Sequence, residues 1–326
     1  MDAARNVRQS CPTLALAGLL SSVPGFLVAA NASEPLDVPA AANMPEEQEA
    51  AERYVAQIKM LLATRIVPGL QRGILRVATS RPPALTVEIT DDPSPYNIGA
   101  KVDANGALIV RLSLGYVTMH DAALDAVALS SVLREPINFR RYLNYQLKVA
   151  RENYWHRAVG ATPRHAMTFA EFVGLDQLAI QAIYARRDLR ESRNLVESES
   201  LSWAIAYLLV RADSRLGGAS PLPIDQTGMA AARIVAASGG FPVPPFATAM
   251  HLAEITRGPA GALDERAVLC RAALLMENGV VGLHTDTDWR ERLGRDAFLQ
   301  DRVAEIRAQI AAIRHDGGCV SPEVIA

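Results

Sequence analysis

The chain has 326 residues and a mass of 35.1 kDa, with 33 Lys+Arg against 35 Asp+Glu for a net charge of −2. Half of it is hydrophobic and 21% is charged, which excludes a wholly disordered chain, and the balanced charge argues against a dedicated nucleic-acid binder. Three cysteines exclude a dense disulfide framework and an all-cysteine zinc cluster.

Arg5 and Arg8 precede an apolar run at 13–30, which ends in Ala30-Asn31-Ala32 and then Ser33-Glu34-Pro35. A cationic start, an apolar middle and a small-x-small site read as a secretory signal cleaved after Ala32, so the chain is expected in the periplasm or secreted. Ser21, Ser22, Pro24 and Gly25 weaken the run as a membrane anchor. Removing Asp2, Arg5 and Arg8 takes the mature charge to −3. No later stretch reads as long and apolar enough to cross a bilayer, so the mature chain is expected not to span one. Cys270 and Cys319 then meet an oxidising compartment, either as a disulfide worth roughly 3–4 kcal/mol or as two independent thiols.

Residues 33–43 read as a flexible lead-in. Pro45 followed by Glu46, Glu47 and Glu49 suits a helix start, and Tyr54, Val55, Ile58, Leu61 and Leu62 carry that helix to about 65. Leu85, Val87 and Ile89 alternate as in a half-buried strand, and Asn105-Gly106 is a hairpin turn leading into a second strand at 107–112. Helices are then expected at 122–133 with Asp121 as cap, and at 138–153, 167–188, 194–215, 225–238, 245–256, 263–277 and 286–314. Thr168 and Glu171 have capping-box spacing. The fold class is α+β and predominantly helical, with a small antiparallel sheet. The domains read as 44–218 and a helical region at 219–326.

Pro95-Tyr96-Asn97-Ile98-Gly99-Ala100, the strand after Asn105-Gly106, Leu114-Gly115-Tyr116 and Leu124-Asp125-Ala126-Val127 together resemble the front half of the M48 zinc metallopeptidases, over about 85–208. That resemblance implies a zincin-like helical core. In the family, a first helix carries two zinc-binding histidines and a general-base glutamate in His-Glu-x-x-His, and a later helix supplies a third ligand. Here the first motif falls on Ser130-Ser131-Val132-Leu133-Arg134, so Ser130 and Arg134 stand where the histidines would be and Ser131 where the base would be. The second falls on 197–201, where Glu197 keeps the ligand carboxylate and Leu201 replaces an aspartate. The resemblance therefore implies a pseudo-enzyme with no zinc and no cofactor, whose partner is an envelope protein or peptide and not nucleic acid. Its binding residues would be Glu197, Asn97, Leu108 and Val110, with the 107–112 strand offering its edge to an extended peptide.

Other motifs carry less. His251 and Glu254 share a helical face, read as a surface pair, and His284 to Asp288 reads as a helix start. Arg134, Arg140, Arg141, Lys148 and Arg151, interleaved with aromatics, read as a helix with a solvated basic face. Glu191-Ser192 is similar to the acid-Ser pair of lytic transglycosylases, though Arg187, Arg190 and Arg193 would depress the acid's pKa. That enzyme class and a structural envelope assembly protein are the alternative functions.

Overall fold

The computed structural model describes residues 44–77, 84–133, 139–213, 216 and 224–319. The expected signal and lead-in lie outside them, as does Arg134. The fold is α+β and predominantly helical. Its first half contains α1 (Met44–Leu61), a π-helical segment (Leu62–Ile66), α2 (Val67–Val77), β1 (Leu85–Thr90), β2 (Gly99–Val102), β3 (Leu108–Ser113), α3 (Leu114–Leu133) and α4 (Phe139–Ala158). Then come α5 (Phe169–Phe172), α6 (Gln177–Tyr184), α7 (Arg187–Ala212), α8 (Ile224–Ala237), α9 (Phe246–Ile255), α10 (Glu265–Thr285), α11 (Thr287–Arg295) and α12 (Ala297–Gly317).

The first helix does not stop near 65. Pro68 has no N–H and its ring crowds the carbonyl four residues back. The chain widens before it, the Val67 N–H bonding Leu62 O five residues away, and the helix continues to Val77. Ile58, Leu62, Ile66, Leu70 and Ile74, spaced by four, form one buried stripe across the junction.

The sheet is mixed, where an antiparallel one is expected from the sequence. Its order is β1-β3-β2, with β1 parallel to β3 and β2 antiparallel to it. The Asn105-Gly106 hairpin forms, with Gly106 at φ +81° and the Asp103 carboxylate accepting from the Asn105 and Ala107 N–H groups at 2.8 and 2.7 Å. Its first arm, Gly99-Ala100-Lys101-Val102, has too little β-branched character to show as a strand in the sequence. Because both flanks of β3 are paired, the strand expected to offer an edge is central, and Leu108 and Val110 are fully buried.

Caps set most remaining boundaries. The Ser113 hydroxyl accepts the Tyr116 N–H at 3.1 Å, so α3 begins straight out of β3 and Asp121, expected to be its cap, lies mid-helix. Thr168 and Glu171 form the expected capping box, but Gly174 at φ +70° ends that turn and Asp176 caps a separate α6. Asp296 accepts from the Phe298 and Leu299 N–H groups, dividing the expected 286–314 helix into α11 and α12.

One apolar core runs from Ile58 to Ile313 and so spans both sides of position 218. At its centre is α9, whose residues 247–255 are all buried. By length and hydropathy α10 is a candidate membrane span, contrary to expectation, yet most of it is buried in this core. Of the two alternatives for the cysteines, Cys270 and Cys319 form a disulfide, Cα–Cα 5.5 Å, fastening the end of α12 to α10.

Helix α2 reaches α8 at Gly73, where an added Cβ would stand 2.4 Å from the Ile234 carbonyl oxygen. Gly73→Ala should cost about 1–3 kcal/mol through forced separation of these helices. Urea unfolding measures it; an unchanged midpoint would refute the close approach.

Candidate functional site

Among the described residues, those singled out by the metallopeptidase resemblance have separate sets of partners. Ser130 is half-buried in α3, and its hydroxyl donates to the Val127 carbonyl at 3.0 Å. The Ser131 side chain lies outside the described residues. Glu197, on α7, is buried and accepts the Tyr54 hydroxyl at 2.7 Å, with Arg193 Nη1 at 3.5 Å. Arg193 also bonds Asp125 at 2.9 Å and Asp121. Burial works against the Arg193 charge, but Asp125, Asp121 and Glu197 outweigh it and hold the guanidinium above its ordinary pKa. Burial, then Asp121 and Glu197, raise the Tyr54 phenol. Helices α3 and α7 thus meet through Asp121 and Asp125, and Ser130 lies nine residues beyond Asp121, about 13 Å along the helix axis. Among the described residues, no three His, Cys, Asp or Glu side chains converge to hold a metal ion. Asn97 is exposed in the β1–β2 loop and donates to Asp92 at 2.6 Å. Glu191 is exposed and pairs with Arg187 at 2.7 Å, outside any apolar cleft that would make it an acid.

A second polar group lies inside the core. His251, expected at the surface, is fully buried because α9 is sheathed on every side. His120 on α3 is also buried, stacked on Tyr116 with ring centroids 6.1 Å apart. Neither ring nitrogen of either histidine has a hydrogen-bond partner, nor do the Tyr116 and Thr248 hydroxyls. Burial, then His251 and Arg193, lowers His120 to about 3, and burial lowers His251 to about 4. One turn along α9, Glu254 has no exposure. Its Oε1 takes Arg151 Nε at 2.9 Å and the Tyr96 hydroxyl at 3.0 Å, and Arg151 also reaches the Gly261 carbonyl at 2.7 Å. Arg151, expected on a solvated basic face, is therefore a core residue.

Among the described residues, an open groove of about 1180 Å³ lies between α2, α7, α11, α12 and the turn after α8. Arg65, Arg72, Arg292, Arg295 and Arg302 line it, with Phe241, Trp289 and Phe298 among them. Four carboxylates are present, but Asp296 is committed to its cap, Glu291 to Arg295 at 3.3 Å, and Asp288 lies in the first turn of α11. Glu199 stands 3.7 Å from Arg302, beyond hydrogen-bond length. Among the described residues, Arg65 and Arg72 make no ion pair. The Arg302 guanidinium lies over the Phe241 ring, 4.2 Å from its centroid, and its Nε is buried without a partner. Arg302, Glu199 and Phe241 also line an adjoining apolar pocket of about 100 Å³ with Val127, Phe246 and Met276. Burial raises the Glu199 pKa, against the pull of Arg302 and Arg65.

Sequence reading missed this groove, since its arginines come from segments more than two hundred residues apart and follow no local motif. No family model, no curated protein and no solved structure matches the chain.

Two core predictions follow from this geometry. Arg151→Met should cost about 3–5 kcal/mol, because Glu254 is left buried and uncompensated, and adding Glu254→Gln should recover part of that. A denaturant double-mutant cycle reads it, and additive losses would exclude the coupling. Both histidines have folded pKa values below the unfolded 6.5, so stability is complete above that pH and falls as pH drops toward 3–4. Between pH 7.5 and 5 the loss should be about 2 kcal/mol per histidine, and His120→Leu/His251→Leu should flatten the profile. An equal slope in the double variant would count against buried neutral histidines.

Proposed function

We propose that the chain is an exported, non-catalytic binding protein of the cell envelope that holds a peptide or an extended segment of a partner protein in the arginine–aromatic groove. The observation that carries this reading is a surface hollow that is large, open and under-neutralised. In the core, Arg193 meets Asp121, Asp125 and Glu197, and Arg151 meets Glu254. In the groove, Arg65 and Arg72 make no ion pair among the described residues, and Arg302, 3.7 Å from Glu199, lies over the Phe241 ring with its Nε unbonded. Cations flanked by aromatic rings are the composition that interfaces favour. At about 1180 Å³ the groove exceeds the usual small-ligand pocket and suits several residues of extended chain.

The resemblance to M48 metallopeptidases is compatible with this role. A strand runs directly into a helix, and a second helix bearing Glu197 packs across it, while the zinc-ligand positions hold Ser130 and Arg134. The binding surface lies in the groove and not at β3, which has no free edge. The Cys270–Cys319 disulfide supports export, since such bonds persist in oxidising compartments.

Amide hydrogen exchange with a randomised octapeptide pool is the direct test. Protection should concentrate at 65–72 and 288–302, and none there would remove the groove from the function. Metal analysis tests the non-catalytic half: stoichiometric, chelator-removable zinc accompanied by proteolysis would overturn it.

A further inference from the structure

We infer that the groove recognises the C-terminal residue of a peptide, its free carboxylate on Arg302 and its aliphatic side chain in the adjoining apolar pocket. The inference rests on the peptide-binding reading above and specifies its ligand.

The geometry turns on Arg302. It is a wall of both cavities, so whatever it binds must present an anion and an apolar group within a few ångströms of each other. A chain terminus does this on one atom, because the α-carboxylate and the side chain leave the same Cα. An Asp or Glu side chain carries its charge in place of an apolar group, so it fills one cavity and leaves the other empty. The pocket volume narrows the side chain. At about 100 Å³ the pocket is of a size for one aliphatic side chain such as Val, Leu or Ile. Its lining of Val127, Val243, Phe246, Met276 and Ile306 is apolar, matching that class.

The donors fit a carboxylate. A guanidinium fork meets one with two parallel charge-assisted hydrogen bonds. Phe241 fixes the plane of the Arg302 fork, its Nε has no partner, and Glu199 at 3.7 Å is an ion-pair neighbour that has not closed a hydrogen bond. Glu199 therefore competes with the ligand for Arg302. Arg65, which also lines the groove and makes no ion pair among the described residues, adds charge of the right sign and acts on Glu199 electrostatically.

The probes are fluorescein-labelled hexapeptide pools with five randomised positions and a fixed last residue, titrated against the full-length mature chain by fluorescence anisotropy. A pool ending in Leu with a free carboxylate should bind. Its C-terminal amide should bind about tenfold more weakly or worse, and so should a pool ending in Ser. Arg302→Lys, which keeps the charge but loses the fork, should shrink the preference for acid over amide, while Glu199→Gln should tighten the acid alone. Arg65→Gln, at an exposed position, gives a weaker version of the same loss should Arg302→Lys fail the circular-dichroism check on folding. Equal binding of acid and amide would overturn the terminus proposal and leave peptide binding standing. Absence of binding by every pool would overturn the terminus proposal together with the peptide-binding reading beneath it.

Discussion

A fully buried carboxylate is the demand around which this fold is arranged. Glu254 sits on α9, a helix with no solvent-facing side, and a lone ionised carboxylate there would be too costly to keep. The fold brings Arg151 from α4 and the Tyr96 hydroxyl from the β1–β2 loop to the same oxygen. Arg151 then spends its remaining donors on the carbonyls of Gly258, Ala260 and Gly261, which close the turn after α9. One neutralised charge thus fixes α4, the sheet's loop and the α9–α10 connection against the central helix. The Arg193 cluster does the equivalent on the other flank, joining α7 to α3 and, through Glu197 and Tyr54, to α1.

How much of this was legible in the sequence depends on the range of the interaction that decides each feature. Local rules served well: the Thr168–Glu171 capping box, the Asn105-Gly106 hairpin turn and most helix centres are governed by contacts within a few residues. Errors came where a competing local cue was read alone. Asp121 has the chemistry of a cap, but Ser113 supplies the cap earlier and Asp121 is taken by Arg193 from 72 residues away. The continuous helix expected across 286–314 breaks at Asp296 because its carboxylate serves the following turn. Placement of charge was least legible. Arg151 sits in a polar segment whose composition suits a surface, whereas His251 lies in an apolar one where only its own polarity points outward, and the packing around α9 holds both inside.

The same contrast separates the core charges from those of the groove. An arginine answered by two or three carboxylates has its field cancelled locally, and its work is to hold helices together. Arg302 has a different environment: a ring beneath it, a carboxylate at ion-pair distance and an apolar pocket at its side. Glu199 is nonetheless needed there. A buried guanidinium with no anion nearby would be destabilising, so the carboxylate keeps the unliganded state tolerable. Holding it at ion-pair distance leaves the donors available to a better-placed anion.

Glu197 is a buried carboxylate whose partners all come from the fold itself. Here Arg193, one turn earlier on the same helix, supplies the cation, and the Tyr54 hydroxyl completes the coordination of the carboxylate by hydrogen bonding. A buried acid retained beside a guanidinium has a structural reason to stay. Its place at 197 follows from the packing of α1, α3 and α7. Glu199, two residues further on, has a different setting: it stands 3.7 Å from Arg302, and both line the groove and its adjoining pocket.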